Sequence, residues 1–194
     1  VSEALEKCPH LILLDPHYEL YEAFSRKFIE YFFKITPLVE VASIDEAFLD
    51  VTDVCPPDKV IELAHQIQGY IYNVLKLPCS IGIGPNKFLA KMGSDYKKPM
   101  GITVFRKREI KEMLWPLPVQ DMIGVGKKTL KNLQFLKIKT IGDLANYPDH
   151  SILEAILGKN TTAYLLDHAY GNGDTVVDVN RSSEFSSMSN SQTF

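Results

Sequence analysis

The sequence predicts an α+β domain followed by a small all-helical one. Three observations carry that reading. Two short β-type runs lie between helical stripes in the first half, a strand–helix–strand pattern follows them, and from Arg106 only short helical segments remain. Beyond Gly171 the chain turns rich in Asp, Ser and Asn and reads as a linker.

Each element has its own signal. His10–Leu14 reads as a short buried strand. From Pro16 the residues Leu20, Phe24, Phe28, Tyr31, Phe32 and Ile35 recur at helical spacing, until Thr36-Pro37 ends the run. The β-branched and apolar runs 39–44 and 47–52 predict an antiparallel hairpin with Asp45 and Glu46 at its turn. Pro56-Pro57-Asp58 opens a second helix, with Val60, Ala64, Ile67, Ile71 and Val74 on one stripe. A strand over 79–83, a helix over 86–96 and a strand over 102–105 follow. Together these are helices packed on one face of a mostly antiparallel sheet. The second domain reads as helices over 109–114, 127–136, 141–147, 151–157 and 161–170.

Composition narrows the function classes. The 194 residues are 45% hydrophobic, and no uninterrupted apolar run could cross a bilayer. The first seven residues do not form a signal peptide, and the absence of an initiating Met suggests a fragment or processed chain. Cys8, Cys55 and Cys79 are odd in number and widely spaced, which suits reduced thiols and a cytoplasmic location. The five histidines share no ligand spacing. Net charge is −3, yet residues 84–140 hold 13 Lys/Arg against 4 Asp/Glu. A basic middle in an acidic chain is either a solvated face or a footprint for phosphate.

Three stretches carry candidate chemistry. Regular strand geometry would point Asp45 and Glu46 to opposite faces, whereas a turn or bulge lets both reach one point. Paired carboxylates there suit a hard cation such as Mg²⁺; an acidic, solvated turn is the alternative. Pro99 restricts Lys98 to an extended backbone and Gly101 allows a tight exit, so Lys98 is projected as a fixed cation. Gly124 and Gly126 precede a helix headed by Lys127, Lys128 and Lys131. Its first N–H groups suit a phosphate oxygen, although a plain helix–helix turn has the same pattern. The Gly82–Lys87 stretch lacks the Walker A ending, and its glycines are better explained by close packing.

Longer strings narrow these readings. Ser43-Ile-Asp-Glu-Ala-Phe-Leu-Asp50 resembles the palm signature of the Y-family, or translesion, DNA polymerases. Ser80-Ile-Gly-Ile-Gly-Pro-Asn-Lys-Phe-Leu-Ala-Lys-Met-Gly-Ser-Asp-Tyr-Lys-Lys-Pro-Met-Gly101 is a second match, and Trp115-Pro-Leu-Pro-Val119 with Ile123-Gly-Val-Gly-Lys127 a third. They stand in the family's order at about its spacing, and the likeness covers nearly the whole chain.

The resemblance implies a partial palm followed by a helical thumb with a helix–hairpin–helix. Residues 1–16 would end a fingers region, 17–105 form a palm lacking its N-terminal strand, 106–172 form the thumb, and 173–194 lead to a missing little finger. It also implies catalytic, metal-holding roles for Asp45 and Glu46 with two Mg²⁺, and a triphosphate contact for Lys98. Gly124, Gly126, Lys127, Lys128 and Lys131 would grip DNA. Primer–template DNA and a dNTP are the implied partners, with a sliding clamp only through segments beyond the chain. Two departures stand out. No Asp-Phe-Asp-type strand supplies a third carboxylate, and residues 181–194 lack the family's Lys-Ser pair. The chain alone is therefore expected to polymerise poorly or not at all. A non-catalytic DNA-binding module is the main alternative; a palm-type nucleotide cyclase is weaker, since the thumb-like basic segment speaks against it.

Overall fold

The structure is a computed structural model in which residues 1–181 are described. The Ser-rich end of the predicted linker, residues 182–194, lies outside the described residues.

The first helix, α1 (Ser2–Lys7), is short and buries no residue. The predicted strand at 10–14 does not form. Ile12, Leu13 and Leu14 are largely exposed, and no β-partner stands beside them among the described residues. A buried strand needs both an edge to pair with and a face to cover it, and this run has neither.

Helix α2 (Tyr18–Phe33) turns Phe28, Ile29, Tyr31 and Phe32 into the first core, while Leu20 is exposed. Thr36 then joins helix to hairpin. Its hydroxyl donates to the Asp50 carbonyl at 2.8 Å and accepts from the Leu38 N–H at 3.1 Å. Strands β1 (Val39–Val41) and β2 (Ala47–Leu49) pair antiparallel as predicted, with Val39 opposite Leu49 and Glu40 opposite Phe48. Helix α3 (Val60–Leu75) lays Ala64, Ile67, Ile71 and Leu75 inward; the predicted Val74 is exposed instead, one position off the stripe.

Strand β3 (Ile81–Ile83), helix α4 (Lys87–Tyr96) and strand β4 (Ile102–Val104) form a crossover unit. Its strands pair parallel, Ile81 with Ile102 and Ile83 with Val104. This corrects the single, mostly antiparallel sheet. Strands joined through a helix return in the same direction, so the strand–helix–strand pattern calls for parallel pairing. Two separate two-stranded sheets result among the described residues, one antiparallel and one parallel. Gly82 of β3 does serve close packing, because a Cβ on it would stand 1.7 Å from the Ala90 carbonyl oxygen of α4.

The remaining helices are α5 (Ile110–Met113), α6 (Lys127–Phe135), α7 (Ile141–Ala145), α8 (His150–Leu157) and α9 (Lys159–Ala169). Thr140 and Asp143 close a reciprocal capping box at α7, the pattern that sets a helix start. The Trp115 indole N–H donates to the Ala169 carbonyl at 2.9 Å, tying the Trp115-Pro-Leu-Pro segment to α9. One apolar core runs through this bundle and into α4: Phe88, Leu89 and Met92 pack with Phe105, Leu133, Leu153 and Leu165. Truncating a fully buried leucine of this kind to alanine costs about 2–5 kcal/mol, so α4 belongs energetically to both halves. Among the described residues no helix is long and apolar enough to cross a membrane.

Candidate active site and nucleic-acid interface

Residues 42–46 close the hairpin. The Ala42 and Ser43 N–H groups both donate to the Glu46 carbonyl, at 3.0 and 3.1 Å, which pulls the turn shut and releases the two acids from strand alternation. Asp45 is exposed and accepts a hydrogen bond from the Ser43 hydroxyl at 2.6 Å. Glu46 has a different partner, the Lys91 ammonium of α4. Both acids nevertheless line one cleft of about 600 Å³, together with Lys91, Ser94 and Lys98. The structure thus brings three of the predicted site residues, Asp45, Glu46 and Lys98, to one place.

Helix α4 supplies what the sequence reading missed. Lys87, Lys91 and Asp95 recur at i, i+4 spacing and share a face. Lys91 bridges Glu46 and Asp95, the latter at 3.2 Å, and Asp95 in turn holds Lys98 at 2.6 Å. Charge therefore alternates from Glu46 through Lys91 and Asp95 to Lys98. Lys98, projected from the sequence as a fixed cation, has an acidic partner. Gly101 makes the tight exit, since a Cβ there would meet the Lys97 carbonyl oxygen at 2.0 Å. The helical spacing of Lys87, Lys91 and Asp95 was the available signal; their partners were not.

Glu40 was also missed, although a lone acid among the apolar residues of a β-type run is itself a signal. Its side chain is 0% exposed. It accepts from Lys87 Nζ at 2.9 Å, from the Asp178 N–H at 2.8 Å and from the Arg181 guanidinium. Burial pushes its carboxyl up, but the Asp178 amide, Lys87 and Arg181 more than offset this and hold it below the ordinary range. Asp95 behaves alike: burial raises it, and Lys98 and Lys91 bring it below its ordinary value. Burial lowers Lys87 and Lys91, yet their acidic partners leave both above theirs.

These directions fix a pH dependence. Carboxyls lowered by folding contribute stability that is complete above their unfolded pKa of about 4–4.5 and is lost as pH falls through the lower folded values. The raised lysines contribute below about 10.4 and lose that share only as pH climbs through their folded values. The melting temperature is therefore expected to hold between about pH 6 and 9 and to fall on acidification below about pH 4.5. Glu40→Gln should flatten the acid limb, as thermal melts across a pH series would show; an unchanged limb would assign acid lability elsewhere.

The second predicted site lies away from the cleft. Gly124 has φ +92°, and a Cβ on it would stand 2.6 Å from the Tyr164 ring, so this glycine is required by both backbone and packing. Gly126 is the N-cap of α6, with no side-chain cap, and a Cβ on it would have no neighbour within 4 Å. The first-turn N–H groups of α6 therefore open outward, beside the side chains of Lys127, Lys128 and Lys131, all three exposed. This arrangement suits an anion at the helix start.

Asp45 and Glu46 fit a magnesium site in donor type, being hard oxygen ligands, but fall short of it in number. Among the described residues no group of three or more His, Cys, Asp or Glu side chains is placed to hold a metal ion.

An acid-bearing hairpin beside a strand–helix–strand unit, continued into a lysine-headed helical bundle, is the arrangement that comparison with known proteins identifies. The impB/mucB/samB family model matches residues 1–95, and the IMS family HHH motif matches residues 107–138. A DNA polymerase IV 1 of Bacillus subtilis (strain 168) is 47% identical over 193 residues, 100% of this chain and 46% of the relative. A DNA polymerase IV of Oceanobacillus iheyensis is 45% identical with the same coverage. Among solved structures, DinB from Sulfolobus solfataricus superposes with a TM-score of 0.83 at 34% identity, over 91% of this chain and 52% of that one. An insertion ternary complex of Dbh DNA polymerase matches with a TM-score of 0.81, at 34% identity over 90% of this chain and 52% of the other. The class is that of the Y-family DNA polymerases. Within it, this chain belongs to the impB/mucB/samB family and is homologous to DNA polymerase IV. It spans about half the length of the curated relatives it matches.

Proposed function

We propose that this chain is the palm-and-thumb portion of a cytoplasmic translesion DNA polymerase. Residues 17–105 act as the palm and 106–172 as the thumb, after the end of a fingers region over 1–16 and before a linker over 173–194. The reaction of the longer protein is template-directed transfer from a dNTP to a primer 3′-hydroxyl. One observation carries the reading: a single cleft gathers Asp45, Glu46 and Lys98 in a chain homologous throughout to DNA polymerase IV.

Asp45 and Glu46 would hold magnesium, which when bound supplies the positive charge that stabilises the reacting phosphate. The rest falls to this chain's own side chains. Lys98 offers an ammonium for the triphosphate, and Asp95 keeps it oriented toward the cleft beforehand. Lys91 holds the Glu46 carboxylate at the cleft wall and neutralises it. On the thumb, Gly124 shapes the turn, Gly126 opens the start of α6, and Lys127, Lys128 and Lys131 attract the DNA backbone without reading sequence.

Two measurements test this. DNA affinity should fall steeply with salt, and replacing Lys127 and Lys128 together should lower the slope of log affinity against log salt by at most about two. An unchanged slope would move the DNA contact elsewhere. In primer-extension assays with Mg²⁺ or Mn²⁺, the purified 194 residues should bind DNA without extending it, since only two acids of the hairpin meet in the cleft. Robust extension would demand a third carboxylate from within the chain, and Asp50 is the first to replace. A chain that binds DNA but never extends it, even when completed to its relatives' length, would favour the non-catalytic module. The pairing of Glu46 with Lys91 is the observation on that side.

A further inference from the structure

After α9 the chain does not leave the molecule directly. Gly171 accepts on its carbonyl from the Asn86 side-chain amide at 2.9 Å. Asp174 then takes the Lys87 N–H on its carbonyl at 2.9 Å and the Lys87 ammonium on its carboxylate at 2.6 Å. Asp178 donates its N–H to Glu40 at 2.8 Å, and Arg181 closes on the same carboxylate. The segment from Gly171 to Arg181 is thus a strap laid over the start of α4. At its far end the holding group is one side chain from the hairpin, 138 residues earlier in sequence than Asp178.

We infer that Glu40 is a positioning residue, which fastens this strap and so fixes how the chain leaves the thumb relative to the hairpin that carries Asp45 and Glu46. Neither apolar core holds the strap there. Val176 and Val179 are exposed, and residues 174–181 contribute nothing to either apolar core. Polar contacts of Asp174, Asp178 and Arg181 converge on Glu40 and Lys87. A buried carboxylate accepting two cations and an amide is satisfied only while all its partners are present; a neutral amide in its place accepts fewer bonds and brings N–H groups that Lys87 and Arg181 cannot accept. Glu40 sits in β1, five residues before Asp45, and Lys87 heads the helix whose next turn carries Lys91. The same network therefore registers hairpin, α4 and strap together.

The test is amide hydrogen exchange on the 194-residue chain, comparing wild type with Glu40→Gln, which keeps the shape and removes the charge. The Asp178 amide should lose protection by about tenfold or more. Core amides at Leu133, Leu144 and Leu165 should keep theirs, which separates loosening of the strap from general destabilisation. Strap protection unchanged in Glu40→Gln would overturn the inference, as would an equal loss at the core amides. Should that variant fail to fold, Arg181→Ala removes the exposed partner alone. It is expected to lower Asp178 protection several-fold with the core unaffected, and no change there would overturn the inference equally.

Discussion

Replacing Asp45 or Glu46 with alanine, in a chain completed to the length of its relatives, is expected to lower primer extension by about three orders of magnitude. DNA affinity should stay within a few fold. The two acids share a cleft with Lys98, and neither belongs to the apolar cores, so their loss leaves the scaffold standing. Asp45 is exposed and its side chain bonds to its near neighbour Ser43, so Asp45→Ala should hardly change the melting temperature. Glu46→Ala removes an ion pair of which both members are partly exposed, and such pairs contribute at most about 1 kcal/mol. A large drop in rate with an unchanged melting temperature therefore reports chemistry. Near-normal extension by either variant would end the catalytic assignment, and a parallel loss of DNA binding would recast the acids as structural.

The second large effect separates Gly124 from Gly126. Gly124→Ala must place a methyl 2.6 Å from the Tyr164 ring on a backbone at φ +92°. Strain of this kind costs about 1–3 kcal/mol, which in a chain of this size lowers the melting temperature by about 6 °C. Gly126→Ala meets no neighbour within 4 Å and keeps φ −81°, so its stability should stay within about 1 kcal/mol. It does crowd the open start of α6, and DNA affinity should fall several-fold. Calorimetry and a DNA titration on the same preparations decide the matter. Loss of affinity without loss of stability in Gly126→Ala supports the phosphate site. Unaltered affinity in that variant returns the Gly-Val-Gly segment to a plain turn between helices.

The contrast between Glu40 and Asp45 shows where the sequence was legible. Asp45 and Glu46 sit in a long, specific string, and their turn follows from the β-type runs on either side, so candidate site and hairpin could both be read in advance. Lys98 was marked out by the Pro99 and Gly101 that follow it. Glu40, Lys91 and Asp95 carry no comparable local mark. Their importance comes from partners 47, 45 and 3 positions away, and only the shortest of these separations could be read from helical spacing. The strand expected at 10–14 failed for the same reason in reverse. Its residues suit a strand, but a strand exists only if something pairs with it, and pairing is not a property of the run itself.

By itself, then, the sequence determined the helices with strong apolar stripes, the hairpin, the acids at its turn and the family to which these strings point. Local periodicity and turn chemistry act over a few residues and are written directly in the chain. The tertiary structure decided what local pattern leaves open: a core shared between α4 and the bundle, the pairing of Glu46 with Lys91 and the strap on Glu40. Each of these depends on which surfaces meet after the chain has closed long loops. A buried carboxylate such as Glu40 is stable only where distant cations arrive to meet it, so its place was settled by the fold as a whole.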